Sequence, residues 1–265
     1  MASFSVVTNV ASINAQKELE VSNLGLRKAL ERLSSGLRIN RSGDDAAGLA
    51  VANKFRSDVA ILSVGVRNAN DALSRLQTSD AALNNISLLV DRAAALAAQS
   101  ASGGFEGNRT TLNSEFTQVL AEIDREAAVA KVGTSNAFSV FIGGGAANIS
   151  AAFTQDVNTT GLGLTGLNVT SAAAAATVVA AAATAISNLG VAQGEVGQAQ
   201  NRLQFAINLA QAQIVNISAS ESRIRDANIA QETANLTRFN ILTQSGIAAL
   251  ANANQSNASV LSLLG

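Results

Sequence analysis

The side chains that most enzymes use for acid–base or nucleophilic chemistry are scarce in this 265-residue chain, which contains no His, Cys or Tyr. Without His and Cys it lacks the commonest general base, the thiol nucleophile and the usual zinc ligands. Ser–His–Asp catalysis, Cys–His catalysis and disulfide bonds are therefore excluded. We predict a protein that is not an enzyme and that binds no cofactor or metal ion.

Two sequence features could still be taken for ligand sites. Asp44 and Asp45 follow a break at residues 40–43, where a helix N-terminus would favour carboxylates as caps and as partners of the helix dipole. A metal site would need a third ligand, and none lies nearby in sequence. Residues 143–145 are three consecutive glycines, but no Lys-Ser or Lys-Thr follows them, so we expect a tight turn rather than a phosphate loop.

The charge pattern argues against nucleic acid as a partner. The net charge is −1, 14% of the residues are charged, and the only aromatic residues are nine Phe. Basic grooves and stacking platforms, which nucleic-acid-binding proteins use, are therefore not apparent. The most apolar stretch, residues 172–186, is interrupted by two Thr and is shorter than the roughly 20 residues of a membrane span. We expect no membrane insertion and interpret the stretch as the start of a buried helix with Ser171 as its N-cap.

Apolar residues recur at alternating steps of three and four, the pattern of helices that pair along one face. Because the chain has no Pro, nothing in it forces such a helix to break. Three series show this spacing. They are Leu19, Asn23, Leu26, Leu30, Leu33 and Leu37; then Val59, Leu62, Val66, Ala69, Leu73, Leu76, Asp80, Leu83, Ser87 and Val90; then Leu189, Gln193, Val196, Gln200, Leu203, Ile207, Ala210, Ile214, Ile217, Glu221 and Ile224.

Gly- and Ser-containing breaks separate these helices at residues 34–36, 40–43 and 102–108, and a further helix is expected over about 109–132. Between residues 133 and 170 short apolar–polar alternations at 138–140, 162–164 and 167–169 favour β-strands in one or two hairpins. We predict a mainly α fold, an elongated antiparallel coiled coil or bundle with a small β-hairpin patch at its far tip. The chain goes out and returns, so its two helical ends lie side by side.

Recognisable sequence stretches lie at both ends of the chain. Near the N-terminus these are LSSGLRIN at 33–40 and DDAAGLA at 44–50. Near the C-terminus they are RIRDANIAQE at 223–232, ILTQSG at 241–246, ANANQ at 251–255 and VLSLL at 260–264. The two groups resemble the N-terminal and C-terminal signature motifs of bacterial flagellins. The departures are small: RSG at 41–43 replaces a more usual small-residue-and-lysine stretch, and SNA at 256–258 stands where many flagellins carry a Pro.

The resemblance implies a subunit that polymerises with copies of itself into the flagellar filament. Residues 1–43 with 226–265 would form an inner coiled-coil domain, and residues 44–225 an outer helical bundle with the β patch at about 133–170. The chain is short for the family and leaves no room for large outer domains. Export through the flagellar type III apparatus to the cell exterior would follow, and the implied partners are an export chaperone, the filament cap and hook-junction proteins.

The resemblance and the helical spacing together give the candidate site residues. The self-assembly core is expected at Leu26, Leu30, Leu33, Leu37, Leu236, Phe239, Leu250, Val260 and Leu264. Packing of the outer domain is expected at Leu62, Val66, Leu73, Leu76, Leu203, Ile207, Ile214 and Ile217. In flagellins that a Toll-like innate immune receptor recognises, the contact residues correspond to Arg92, Leu96, Gln99 and Glu115 here.

One alternative function remains open at this point. A hook–filament junction protein shares terminal helices with flagellins, although its middle region is usually longer. Flagellins with a metalloprotease insert are also known, but that activity needs His-Glu-x-x-His, which a chain without His cannot supply. Ser and Thr are frequent over residues 133–171, and the sequence does not decide whether they are glycosylated.

The residue types that follow the three- and four-residue spacing near the C-terminus lead to one further expectation. The C-terminal series reads Leu236, Phe239, Thr243, Gly246, Leu250, Ala253, Asn257, Val260 and Leu264. Four of these nine positions are Thr, Gly, Ala or Asn, which bury little apolar area. Ordering a residue costs about 1–2 kcal/mol of backbone entropy. We therefore expect the two chain ends to be disordered in the monomer and helical only in the filament.

Overall fold

The computed structural model describes residues 8–105, 107–143 and 148–264, with side chains as far as residue 256. Five α-helices lie in these ranges: α1 (Val10–Ser35), α2 (Ala46–Ala101), α3 (Arg109–Ala130), α4 (Ala172–Arg225) and α5 (Ile229–Leu264). Two short strands, β1 (Phe138–Val140) and β2 (Ile149–Ala151), form an antiparallel pair with Ser139 opposite Ser150. The predicted mainly α fold with a small β-hairpin is confirmed.

The helix ends lie where the sequence predicted breaks, and side chains cap them. Asn9 caps α1 and Asn108 caps α3, each accepting a hydrogen bond from the backbone N–H two or three residues on. Gly36 ends α1 in the left-handed conformation, where the absence of a Cβ removes the steric penalty. Ser171 accepts from the N–H of Ala174 at 3.2 Å, which confirms it as the N-cap of α4.

The chain divides into two compact units. The terminal unit comprises Met1–Ser57 and Ile217–Gly265, and the central unit comprises Asp58–Asn216. The boundaries between the units fall within α2 and α4, and both helices continue across these boundaries without a break. The predicted inner and outer domains were bounded instead by the breaks between helices, and their separate roles remain a prediction.

The central unit has an apolar core built from one face each of α2, α3 and α4. One cluster in it joins Leu96 of α2, Phe116 of α3 and Val178 of α4, all of which are buried. Two buried serines of α2 hold neighbouring segments through their hydroxyls, since Ser79 donates to the carbonyl of Ala130 at 2.5 Å and Ser100 to that of Val169 at 2.6 Å. The first turns of α4 therefore pack into a core through Ala175 and Val178, as the sequence predicted for this stretch.

Within the described ranges α4 is the one helix long and apolar enough to cross a membrane by length and composition. About a quarter of its most apolar 18 residues are buried inside the protein (28%). Such a proportion fits a helix that packs along one face.

The β-hairpin docks on α2 through backbone atoms. Gly65 of α2 faces the carbonyl of Ile142, the second residue after β1, so closely that a Cβ there would overlap it. Asn68, one turn further along, donates a 3.4 Å hydrogen bond to the carbonyl of Phe141. Gly143 takes a left-handed conformation (φ 88°), and the other two residues of the tight turn predicted at 143–145, Gly144 and Gly145, lie outside the described residues.

The strands predicted at 162–164 and 167–169 are wrong. Gly163 and Gly166 adopt left-handed φ angles of 72° and 75°, and the N–H of Leu164 bonds back to the carbonyl of Thr159 at 2.8 Å, so the segment forms turns. Leu162, Leu164 and Val169 are all buried, which explains the apolar–polar alternation without a strand.

Candidate self-assembly surfaces

The terminal unit is built on α1 and α5, which pack side by side in opposite directions. Asn9 near the start of α1 donates a 2.9 Å hydrogen bond to the carbonyl of Ala253 near the end of α5. At the other end of the pair, Arg32 and Glu232 form an ion pair with a 3.1 Å separation between Nη1 and Oε1. The predicted neighbourhood of the two chain ends is therefore present in the structure.

Glycines let the two helices approach closely. A Cβ on Gly25 of α1 would overlap the ring of Phe239 of α5. Seven residues further along α5, a Cβ on Gly246 would lie 3.2 Å from Cδ1 of Leu19 of α1. Each helix thus offers a glycine as the hole for a large side chain of the other, and the two contacts together fix the register of the pair.

The predicted assembly residues occupy this pair in part. Leu26, Leu33, Leu236, Phe239 and Leu250 are partly buried. Leu37, which follows α1, is also partly buried, whereas Leu30 is 48% exposed. The side chains of Val260 and Leu264 lie outside the described part of α5.

The face that α1 turns toward α5 differs by one position from the predicted one. Ala29 is buried and Leu30 is exposed, so Ala29 takes the place expected for Leu30, while Ser22 and Asn23 are both partly buried. Both Ala29 and Leu30 fit steps of three and four between Leu26 and Leu33. The close approach over Gly25 selects the small residue.

The helix pair contains little fully buried apolar surface. Among the described side chains of α1 and α5, just three are buried: Ser12, Ala29 and Glu232. By contrast, nine large aliphatic side chains on the pair are exposed by 45–68%. They are Val10, Ile13, Val21, Leu24 and Leu30 on α1, with Ile229, Ile241, Leu242 and Ile247 on α5.

The segments that follow α1 and α4 are bound to each other by backbone hydrogen bonds. Leu37 and Asp226 form an antiparallel bridge. The N–H of Arg38 donates to the carbonyl of Arg225 at 2.7 Å, and that of Ala227 to the carbonyl of Gly36 at 2.9 Å. The two signature motifs at opposite ends of the sequence therefore meet at one place in the terminal unit.

The two adjacent aspartates have separate structural tasks. Asp45 accepts from the N–H of Gly48 at 2.8 Å and so caps α2, as predicted. Asp44 does not cap the helix but accepts from the N–H groups of Asn40 and Arg41, and it pairs with Lys28 of α1 at 3.0 Å. The hydrogen bond from Lys28 and those from the loop backbone lower the pKa of Asp44 to about 2. Its carboxylate therefore stays ionised and holds the loop at neutral pH.

The residues predicted for outer-domain packing serve the interior of their own chain. Leu62, Leu76, Leu203 and Ile207 are buried, and Val66, Leu73, Ile214 and Ile217 are partly buried. Ile214 belongs to the central unit and Ile217 to the terminal one. The buried side chains hold helices of one subunit together and do not reach its surface.

The predicted receptor residues are only partly on the surface. Arg92 of α2 and Glu115 of α3 form an exposed ion pair, with 3.0 Å between Nε and Oε1. Gln99 is exposed, but Leu96 is 2% exposed and packs in the core cluster with Phe116. Leu96 is therefore buried beneath this surface and is not accessible to a binding partner.

In the described part of the chain, no group of three carboxylates lies close enough together to hold a metal ion.

The Gly25–Phe239 contact gives a first prediction. Gly25→Ala should weaken the pairing of α1 with α5, because overpacking typically costs about 1–3 kcal/mol, which exceeds the roughly 1 kcal/mol gained in helix propensity. The measurement is the thermal midpoint of the polymer, in which α1 and α5 are expected to be paired, followed by circular dichroism.

Gly190→Ala is the matched control, because Gly190 lies in α4 with open space around the added Cβ, and it should not lower the midpoint. Phe239→Leu should restore part of the loss in the Gly25→Ala background. An unchanged midpoint for Gly25→Ala alone would contradict the proposed hole.

Comparisons with known proteins identify the family of the chain. The model of the bacterial flagellin N-terminal helical region matches residues 6–140, and that of the C-terminal helical region matches residues 179–264. The chain is 34% identical to the flagellar filament 33 kDa core protein of Treponema phagedenis, covering 97% of this chain and 98% of that protein. It is 35% identical to a flagellin of Halalkalibacterium halodurans with the same coverage.

Among solved structures, the crystal structure of Bacillus cereus flagellin is similar with 27% identity and a TM-score of 0.48, covering 58% of this chain and 94% of that one. The two family regions contain both groups of signature motifs and, apart from the first turns of α4, the helices that carry them. The full-length relatives are filament proteins, and they match over nearly the whole chain. The chain therefore belongs to the bacterial flagellins and is a structural subunit of the flagellar filament.

Proposed function

We propose that the α1–α5 pair is the surface through which copies of this chain polymerise into the filament core. The observation that carries this proposal is the distribution of apolar side chains on the pair: the large ones in the contact between the helices are only partly buried, and nine further large aliphatic ones are exposed. A groove of about 330 Å³ beside Leu24 runs along α1 and adds concave surface. Exposed apolar surface of this kind marks interaction sites.

An open helical polymer needs two different faces on each subunit. The exposed residues of α1 and those of α5 supply two such faces, so the terminal unit would be the inner domain and the central unit the outer one. The relatives named above are flagellins and filament core proteins, and nothing in them favours the hook–filament junction alternative.

Family membership supports the remaining assignments. The subunit would leave the cell through the flagellar type III apparatus and work outside it. An export chaperone would cover the exposed apolar residues of α5, and the cap and hook-junction proteins would contact the two ends of the filament. We propose no enzymatic activity, in keeping with a structural protein family.

Removing the end of α5 tests the role of the terminal unit. A chain that lacks residues 250–265 should form no filaments, because it loses Leu250 and the last turns of the pair. The central unit should keep its helices, since its core lies in residues 58–216. Sedimentation and electron microscopy measure assembly, and circular dichroism measures helicity.

The matched point variants are Leu250→Ser, at a partly buried position, and Ala249→Ser, at the exposed neighbouring one. The first should raise the protein concentration needed for assembly, and the second should not. Long filaments from the truncated chain would refute the proposal.

We also propose that α1 and α5 become ordered only on assembly. Full burial of a large aliphatic side chain contributes about 1.5–3 kcal/mol, and none on the described part of α1 or α5 is fully buried. Backbone ordering costs about 1–2 kcal/mol for each residue. Neighbouring subunits would cover the outward-facing residues and supply the missing burial.

Amide hydrogen exchange tests this coupling on monomer and filament. Residues 19–33 and 236–256 should exchange fast in the monomer and become protected in the filament. The segment at 83–97, in the core of the central unit, is the internal control and should be protected in both states. Strong protection of α1 and α5 in the monomer would show that the helix pair is stable alone.

The exposed pair Arg92–Glu115, with Gln99 on the same helix as Arg92, supports a second candidate function: the monomer binds a host Toll-like receptor through this surface. Arg92→Ala should weaken receptor signalling about 30-fold, since an Arg anchor at an interface is typically worth about 2 kcal/mol. Dose–response curves from a reporter cell line give the measurement.

Arg67→Ala is the control for this experiment, because Arg67 is an exposed arginine of α2 in the same unit. It should leave the curve unchanged. If Arg92→Ala also leaves the curve unchanged, Arg92 is not part of a receptor site.

A further inference from the structure

The central unit carries an exposed apolar ridge on α4. Arg202, Phe205 and Leu209 follow one another at steps of three and four, so they lie on one face of the helix. Phe205 is 74% exposed and Leu209 is 58% exposed. The buried residues of this stretch, Leu203 and Ile207, lie on the opposite face, so the ridge points away from the core of its own unit.

A groove of about 290 Å³ lies on the same unit between α2 and α3. Its apolar wall is formed by Leu88, which is 68% exposed, and Leu89, which is partly buried. Glu122 and Glu126, one turn apart on α3, form the other wall. The groove therefore offers an apolar surface with carboxylates along one side.

The charges of the ridge and the groove are complementary. Two carboxylates of the groove, Glu122 and Glu126, share the single guanidinium of Arg125. The hydrogen bond and the charge of Arg125 lower the pKa of Glu122, which keeps that wall of the groove anionic. On the ridge, Arg202 is exposed and donates a long hydrogen bond of 3.4 Å to the carbonyl of Ser150.

The ridge and the groove lie at different levels of the central unit. Gln193 of α4 donates a 3.1 Å hydrogen bond to Asn84 of α2, which places Gln193 at the level of the first groove residue, Asn85. Phe205 is twelve residues further along α4, about 18 Å away at 1.5 Å per residue. A contact between these two surfaces in different copies would therefore join unlike faces and leave one of each free for further copies.

We propose that, in the filament, the Arg202–Phe205–Leu209 ridge of one copy binds in the Leu88–Glu122 groove of a second copy. Phe205 and Leu209 pack against Leu88 and Leu89, and Arg202 pairs with the carboxylates of Glu122 and Glu126. The inference rests on the proposed function, since it assigns one contact between outer domains within the polymer.

Because the chain has no Cys, engineered cysteines can test this contact directly. Two single variants, Leu88→Cys and Leu209→Cys, both at exposed positions, are mixed, assembled into filaments and oxidised. The expected product is a disulfide-linked dimer that contains one copy of each variant. Filaments of either variant alone should give no dimer, and a chain with both substitutions should give a ladder of linked oligomers.

Val179→Cys, mixed with Leu88→Cys, is the matched control, because Val179 is another exposed aliphatic residue of α4. If filaments form but the Leu88–Leu209 mixture links no more than this control, the inference is overturned and the proposed function stands. If the unsubstituted chain itself forms no filaments, the proposed function fails first.

Discussion

The close approach of α1 and α5 over glycine is the constraint on which the terminal unit depends. Phe239 sits over Gly25, and Leu19 sits against Gly246, so the backbones come near each other while large side chains still find room. A helix pair whose large side chains are only partly buried buries little apolar area. Nine further large aliphatic residues are exposed on the pair, where other copies of the chain can cover them. The packing of α1 against α5 thus leaves the terminal unit with a small buried core and with exposed apolar surface for association.

Polar contacts also hold the segments of the terminal unit together. Arg32 and Glu232 pair across the two helices, and the segments that follow α1 and α4 are joined by the Leu37–Asp226 bridge. Lys28 and Asp44 hold the loop before α2 against α1. These contacts add to the direction and register that the two glycine contacts set. The central unit is built differently, with large side chains such as Phe116 and Leu76 fully buried.

Much of this architecture could be predicted from the sequence, because long helices without Pro show a regular spacing of apolar residues in the sequence. Helix breaks, the Ser171 and Asp45 caps and β1 follow from local chemistry. The phase of α1 could not be fixed, since steps of three and four from Leu19 fit two faces, and Gly25 selects between them only through a residue of α5. The strands predicted around Leu162–Leu164 failed because burial in turns also produces alternation. Arg32 and Glu232 lie 200 residues apart, beyond any local pattern. The burial of Leu96 likewise depends on α3 and α4.

The docking of the hairpin on Gly65 has a consequence for how this surface can evolve. The contact is made with the carbonyl of Ile142, an atom that every residue type possesses, so the constraint of this contact applies to α2, which must keep a glycine there. The side chains of Val140 and Ile142 are buried and are constrained by packing, whereas Phe141 between them is 56% exposed. An exposed residue such as Phe141 can therefore change during evolution while the backbone that presents it stays in place.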